Sequence, residues 1–385
     1  MVVRPQTRPE PAREGADVNT IRRLIFLEVL WAVGFVTLGF VSLFFFFDFV
    51  EELQSVGRTT IATYQLVHAL TYVLLMVPSH LYELLPIAVL IGTIFVMARF
   101  ARSSEYTILR TSGLGPWRAL RTLLQLGLVF VLLTVAIGDY LAPLADRSAQ
   151  LLKARYQGRI TTGQTGAWLK ERQAYSQYSV NVRALESDGS LRGVRMFEFD
   201  NQGFLISMTQ AEQATISADD AWNLSGVVRT EFPARDQQSA QIQLLRLERF
   251  RWTNQISAQM VSAALLKPER MSTIDLFQYI QHLEANQQSA QRYEIEFWRK
   301  VFYPLSCLVM VVLALPFAYL HFRSGGISAY VFGGVMAGIS FFLLNNLFGH
   351  MGNLQNWQPW LSAALPGLIY SALSLAAFGW LVFRR

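Results

Sequence analysis

The chain has 385 residues, is 52% hydrophobic and 16% charged, and has a mean hydropathy of +0.28, which places it among polytopic membrane proteins. Its net charge of +6 does not signal nucleic acid, because there is no basic helix or aromatic-basic repeat and the clustered arginines flank apolar runs. The single cysteine, Cys307, excludes an intramolecular disulfide.

Residues 1–19 are a Pro- and Arg-bearing tail without apolar periodicity, expected to be disordered. Residues 24–47 form an apolar run broken only by Glu28, long enough to span a bilayer and too long for a signal-peptide core. Asp48, Glu51, Glu52 and Arg58 follow on the far side. A second span covers residues 84–98 and must begin earlier, carrying His80 and Glu83 near its outer end; Pro78 and Pro86 permit kinks.

Residues 103–113 read as a short capped helix between two spans. Ser103 or Ser104 can cap its start, Glu105 sits in its first turn, Arg110 in its last, and Gly113 follows as a left-handed cap. Pro116 restarts the chain at a first helical position. The spacing fits either a connector on the membrane surface or a docking helix for a soluble partner. A third span runs from about Ala119 to Ala142.

Residues 143–297 differ in kind, with 17 Lys/Arg, 17 Asp/Glu and no long apolar run. Alternating segments at 175–182, 194–199, 204–208, 221–228 and 241–252, several of them separated by turn signals, predict a mostly β domain, a sandwich or jelly roll. Ser272 can cap a helix over 273–286. Spans resume at 301–320, 327–347 and 357–383, giving six. The predicted fold is therefore a polytopic α-helical membrane protein with a β domain between helices three and four, divided as 1–19, 20–142, 143–297 and 298–385.

Short-loop arginines set the orientation. Arg22, Arg23, Arg99, Arg102, Arg110, Arg118, Arg121, Arg323, Arg384 and Arg385 fall on one side and only Arg58 in the opposite short loops. That predicts cytoplasmic termini and an exported β domain; Arg299 and Lys300 sit at the outer start of the fourth span. There is no P-loop, HExxH, CxxC or GxSxG motif, and the five histidines lack metal-ligand spacing. Paired carboxylates such as Glu51/Glu52 are ordinarily a solvated face. Two other classes stay open on the residues alone: a membrane-anchored interaction or signalling protein with a ligand-binding β domain, and a lipid transferase using Asp139 or Glu83.

Pro86-Ile-Ala-Val-Leu-Ile-Gly92, then Arg102-Ser-Ser-Glu105 and Arg110-Thr-Ser-Gly113, resembles the second-span and coupling-helix signature of the LptF/LptG permease family of lipopolysaccharide exporters. Gly138-Asp139-Tyr140-Leu141-Ala142-Pro143, Ala211 and Ala214 with Trp222-Asn-Leu224, and Arg292-Tyr293 with Trp298-Arg-Lys300 and Pro304-Leu305 extend the resemblance over nearly the whole chain, nearer the LptG branch. The resemblance implies an inner-membrane permease subunit with a periplasmic β-jellyroll-like domain. It implies partners: an LptB-like ATPase dimer, an LptF-like permease, and LptC- and LptA-like bridge proteins. It implies no cofactor in this chain, ATP and Mg being bound by the ATPase. On this resemblance Arg102, Ser104, Glu105, Leu109 and Arg110 couple to the ATPase, with Glu105 pairing with a basic residue of it. Many members carry lysines at the outer end of the first span, where this chain has Asp48, Glu51 and Glu52. Either Arg58, Arg299 and Lys300 or the LptF-like subunit is expected to meet the lipid phosphates instead, with interfacial snorkelling the plainer reading of Arg299 and Lys300. Phe44, Phe45 and Phe47 are candidate cavity or gate residues, although lipid-facing packing explains such a run equally.

Overall fold

The structure is a computed structural model that describes residues 14–57, 64–103, 116–157, 166–186, 189–217, 221–233, 241–254, 256–257, 260–261, 268–319 and 327–383. Six helices in it are long and apolar enough to cross a membrane, and a six-stranded sheet lies between the third and the fourth.

Helices α1 (Glu14–Leu53) and α2 (Leu66–Arg102) form an antiparallel hairpin. Both Pro78 and Pro86 lie within α2, which nevertheless runs unbroken for 37 residues, about 55 Å. Gly92 lets the two helices close, since a β-carbon there would stand 2.8 Å from the backbone nitrogen of Val33. Two polar clamps tie the hairpin. Arg99 meets Glu28 at 2.7 Å, and His80 Nε2 meets Asp48 Oδ2 at 2.5 Å. About twenty residues separate the clamps along either helix, roughly 30 Å of rise, which is the thickness of a bilayer's hydrocarbon core.

The third span continues past the expected boundary. Helix α3 (Pro116–Ala136), a π-helical turn (Ile137–Leu141) and α4 (Ala142–Gln157) follow one another without a loop. The division at 143 therefore falls inside a helix, and the first strand starts only at Ala167. Pro143 accounts for the widened turn. It has no N–H to donate and its ring crowds the preceding turn, and Ala142 N–H reaches back five residues to Ile137 O.

Strands β1 (Ala167–Arg172), β2 (Ser176–Leu185), β3 (Leu191–Asp200), β4 (Leu205–Ile216), β5 (Trp222–Glu231) and β6 (Gln243–Trp252) form one sheet in chain order, each antiparallel to the next. Alternation left the connectivity open; it is a meander. Leu169, Val180, Val194, Trp222 and Leu224 bury one face of the sheet with Leu276, Tyr279 and Leu283 of helix α5 (Thr273–Ala285). A helix thus covers the core where a sandwich would place a second sheet. Ser272 caps α5 as expected, its hydroxyl accepting from Asp275 N–H at 3.1 Å.

The fourth span is α6 (Gln291–Phe302), a 3-10 turn (Tyr303–Leu305), α7 (Ser306–Ala314) and a second 3-10 turn (Leu315–Tyr319). Pro304 and Pro316 lie in the two tightened turns, where a missing N–H is tolerated. Helices α8 (Ile327–Leu354) and α9 (Pro359–Phe383) complete the membrane part. Its core is Val29, Val33, Val89, Ile94, Leu123 and Met310.

Candidate functional site

The site with the most convergent polar chemistry is a cavity of about 340 Å³ between the second to fifth spans, beneath the short 3-10 turn Pro268–Arg270. Helix α2 supplies Ser79 and Glu83, four residues apart and so on one face, with His80 beside them. The π turn and α4 supply Gly138 and Asp146, α6 supplies Glu296, Arg299 and Lys300, and α8 supplies Asn345 and Asn346.

Most of the charges around the cavity are already engaged. Arg299 donates to Glu296 at 2.7 Å and to Asn346 Oδ1 at 3.0 Å. Lys300 donates to Gly138 O at 2.9 Å. That carbonyl needs an outside donor, because Ala142 N–H has gone to Ile137 and Pro143 has none. Glu269 holds Arg292 at 3.1 Å, and His80 is held by Asp48. Asp146 is 2% exposed, with the Ser79 hydroxyl beside it. Among the described residues no group of three metal-ligating side chains converges.

Above the cavity, the membrane part is tied to the β domain. Asp139 Oδ1 accepts from Thr273 N–H at 2.8 Å and from Thr273 Oγ1 at 2.6 Å. Arg147, about two turns further along from Asp139, pairs with Asp275. Asp139 is thus held as an acceptor for the first turn of α5, which removes it as a free catalytic group.

The acidic residues at the outer end of the first span are also accounted for. Asp48 clamps His80, and Glu52, 5% exposed, takes Lys153 at 2.9 Å. Lys153 also lies 4.5 Å over the Tyr72 ring, and Tyr156 shares a 2.7 Å hydrogen bond with His68. These contacts join α1, α2 and α4 just beyond the membrane; only Glu51 of the acidic group remains exposed.

The other expected site residues fall as follows. Arg299 and Lys300 face inward to the cavity, not outward to the interface. Phe44 is partly exposed with its ring 5.2 Å from His80, Phe45 is half-buried and stacks on Phe49 at 6.2 Å, and Phe47 is exposed. Arg102 ends α2 and is exposed. Ser103 caps the end of α2, its hydroxyl donating to Arg99 O. Arg58, Ser104, Glu105, Leu109 and Arg110 lie outside the described residues. Asp146, Ser79 and Arg270 were not anticipated. The signals for them were the four-residue Ser79/Glu83 spacing and an aspartate seven residues past Asp139 on a helix assumed to have ended.

A family model described as "Lipopolysaccharide export system permease LptF/LptG" matches residues 23–381. The chain belongs to this family. It is 28% identical over 376 residues to the lipopolysaccharide export system permease protein LptG of Haemophilus influenzae, covering 96% of this chain and 99% of that one. It is 27% identical over 348 residues to the protein of the same name from Escherichia coli strain K12, covering 90% and 92%. Six spans with a sheet between the third and fourth are the LptF/LptG architecture anticipated from the signature blocks, and the Gly138 to Pro143 block of that signature coincides with the π turn.

Proposed function

We propose that this member of the LptF/LptG family is the LptG-like subunit of an ATP-driven exporter that extracts lipopolysaccharide from the inner membrane. The observation that carries this reading is the family match from residue 23 to 381, spanning all six helices and the sheet together. The chain would hydrolyse no ATP itself; an LptB-like ATPase dimer binding ATP and Mg would supply the motion. The short-loop arginines support cytoplasmic termini and a periplasmic β domain. That domain would pass lipid toward LptC- and LptA-like proteins. Trp31, Phe35 and Leu38 on the first span and Phe332, Met336 and Leu343 on the fifth leave exposed apolar stripes where an LptF-like subunit would seat.

In this reading residues 103–113 dock on the ATPase through Arg102, Ser104, Glu105, Leu109 and Arg110. Co-purification from the native cell tests it. Wild type should bring down an ATPase and a second six-span protein, and Glu105→Lys should lose the ATPase at least in part. If wild type brings down neither, the exporter reading gives way to a ligand-binding membrane protein. Arg58, Arg299 and Lys300 are proposed to meet lipid phosphates; what supports the last two is their place on the cavity wall. Changing all three to Gln should lower lipopolysaccharide crosslinking to the purified complex, and unchanged crosslinking would remove them from the path.

A further inference from the structure

Helix α5 belongs to the β domain but starts at the level of the membrane boundary. From exposed Arg121, near the start of the third span, to Asp139 the chain rises about 27 Å, close to the thickness of a hydrocarbon core. Asp139 therefore stands near the far boundary of the bilayer. Two hydrogen-bonded joints bring other elements to that level. Thr273, the first residue of α5, donates to Asp139, and Lys300 of α6 donates to the carbonyl of neighbouring Gly138.

Helix α6 sets the direction of α5. The Phe277 and Phe297 rings lie 6.3 Å apart and the Tyr279 and Tyr293 rings 4.7 Å apart, so the two helices run antiparallel. Because α6 leads down into the fourth span, α5 climbs away from the membrane as it proceeds. Phe277 lies about 6 Å along α5 from Thr273, within the interfacial layer that adds roughly 5–8 Å beyond the hydrocarbon on each side. Glu284 lies about 16 Å along, outside that layer.

The exposed face of α5 changes character along this climb. Ile274 and Phe277, spaced to share one face, are each more than half exposed. Gln278, Gln281 and Glu284 follow, exposed and polar. Tyr140 in the π turn and Leu144 in α4 are also more than half exposed. Water at this level would leave four large apolar side chains without cover. The boundary between headgroups and acyl chains accepts aromatic and branched apolar side chains, and the spans to which α5 is bonded already pass through it.

We infer that the first turns of α5 are bedded in the membrane interface on the β-domain side through Ile274 and Phe277. The occupant of this face is the lipid surface, so the β domain rests on lipid as well as on the spans. The inference needs only that the six helices cross a membrane, and it holds whether or not the chain exports lipopolysaccharide.

The test puts p-benzoylphenylalanine, a photoreactive phenylalanine analogue, in place of Phe277, Ile274 or Glu284 in the full chain. Each variant is purified in its native complex and placed in nanodiscs of phosphatidylethanolamine and phosphatidylglycerol. The same analogue in place of Leu132, exposed within the third span, supplies the lipid-contacting reference. After illumination, mass spectrometry should find lipid adducts at 274 and 277 as at 132, and their loss at 284. Position 274 serves if the 277 variant does not fold. Absence of lipid adducts at 274 and 277 while 132 gives them overturns the inference. So does crosslinking of 277 to another protein in place of lipid, or a lipid yield at 284 equal to that at 277.

Discussion

His282 shows how one residue ties stability to acidity. It sits on α5, 7% exposed, with its ring 6.3 Å from Tyr279 and its Nε2 unpartnered. Burial pushes its imidazole below the usual value near 6.5. Below that value the unfolded chain binds a proton that the folded chain refuses, so acid favours unfolding. The contribution is complete above the ordinary imidazole range and is lost as pH falls through the lowered folded value. Melting temperatures of the purified chain should therefore drop between pH 7 and pH 5, and His282→Gln should flatten that slope. An unchanged slope would assign the acid sensitivity to other groups. At this same scale the sequence was most easily misread. Asp48 and Glu52 stand where lipid-binding cations were expected, but His80 and Lys153, 32 and 101 residues away, turn them into clamps.

At the scale of elements, the joint between the third span and α5 is the informative one. Asp139 lies within the π turn and reaches α5, where Thr273 gives it both a backbone and a side-chain donor. Asp139→Ala should cost about 1–3 kcal/mol locally and speed hydrogen exchange at the first-turn amides of α5, Thr273 to Asp275. If exchange there is unchanged, Ser272 alone holds the turn. The spans, the Ser272 cap, five of the six strands and the Pro116 start were legible because each follows from local composition, period or capping chemistry. The strand Ala167–Arg172 was not, since charged Glu171 occupies its third inward position and breaks the apolar alternation. The π turn was only half legible: Pro143 marks a break in the local hydrogen bonding, but Lys300, which satisfies the freed Gly138 O, comes from 162 residues away. The cavity was half visible, with Glu83, Arg299 and Lys300 noticed separately and Asp146 hidden in a helix that outran its apolar stretch.

At the scale of the whole molecule, the two clamps of the α1–α2 hairpin make the protein a gauge of the lipid around it. Arg99–Glu28 and His80–Asp48 fix where the hydrocarbon can begin and end, and the close contact at Gly92 keeps the two helices from tilting separately. A thicker bilayer would drag a clamp into oil, and a thinner one would leave apolar helix in water, so the lipid must deform to match. Reconstitution in phosphatidylcholines of increasing acyl length should give a stability maximum near a 30 Å core. Asp48→Asn should broaden that maximum toward thicker bilayers, because the pair that marks the far boundary would carry less charge to bury. A chain built this way carries a preference for membrane thickness in two side-chain contacts, and where it settles among membranes is decided before any partner is met.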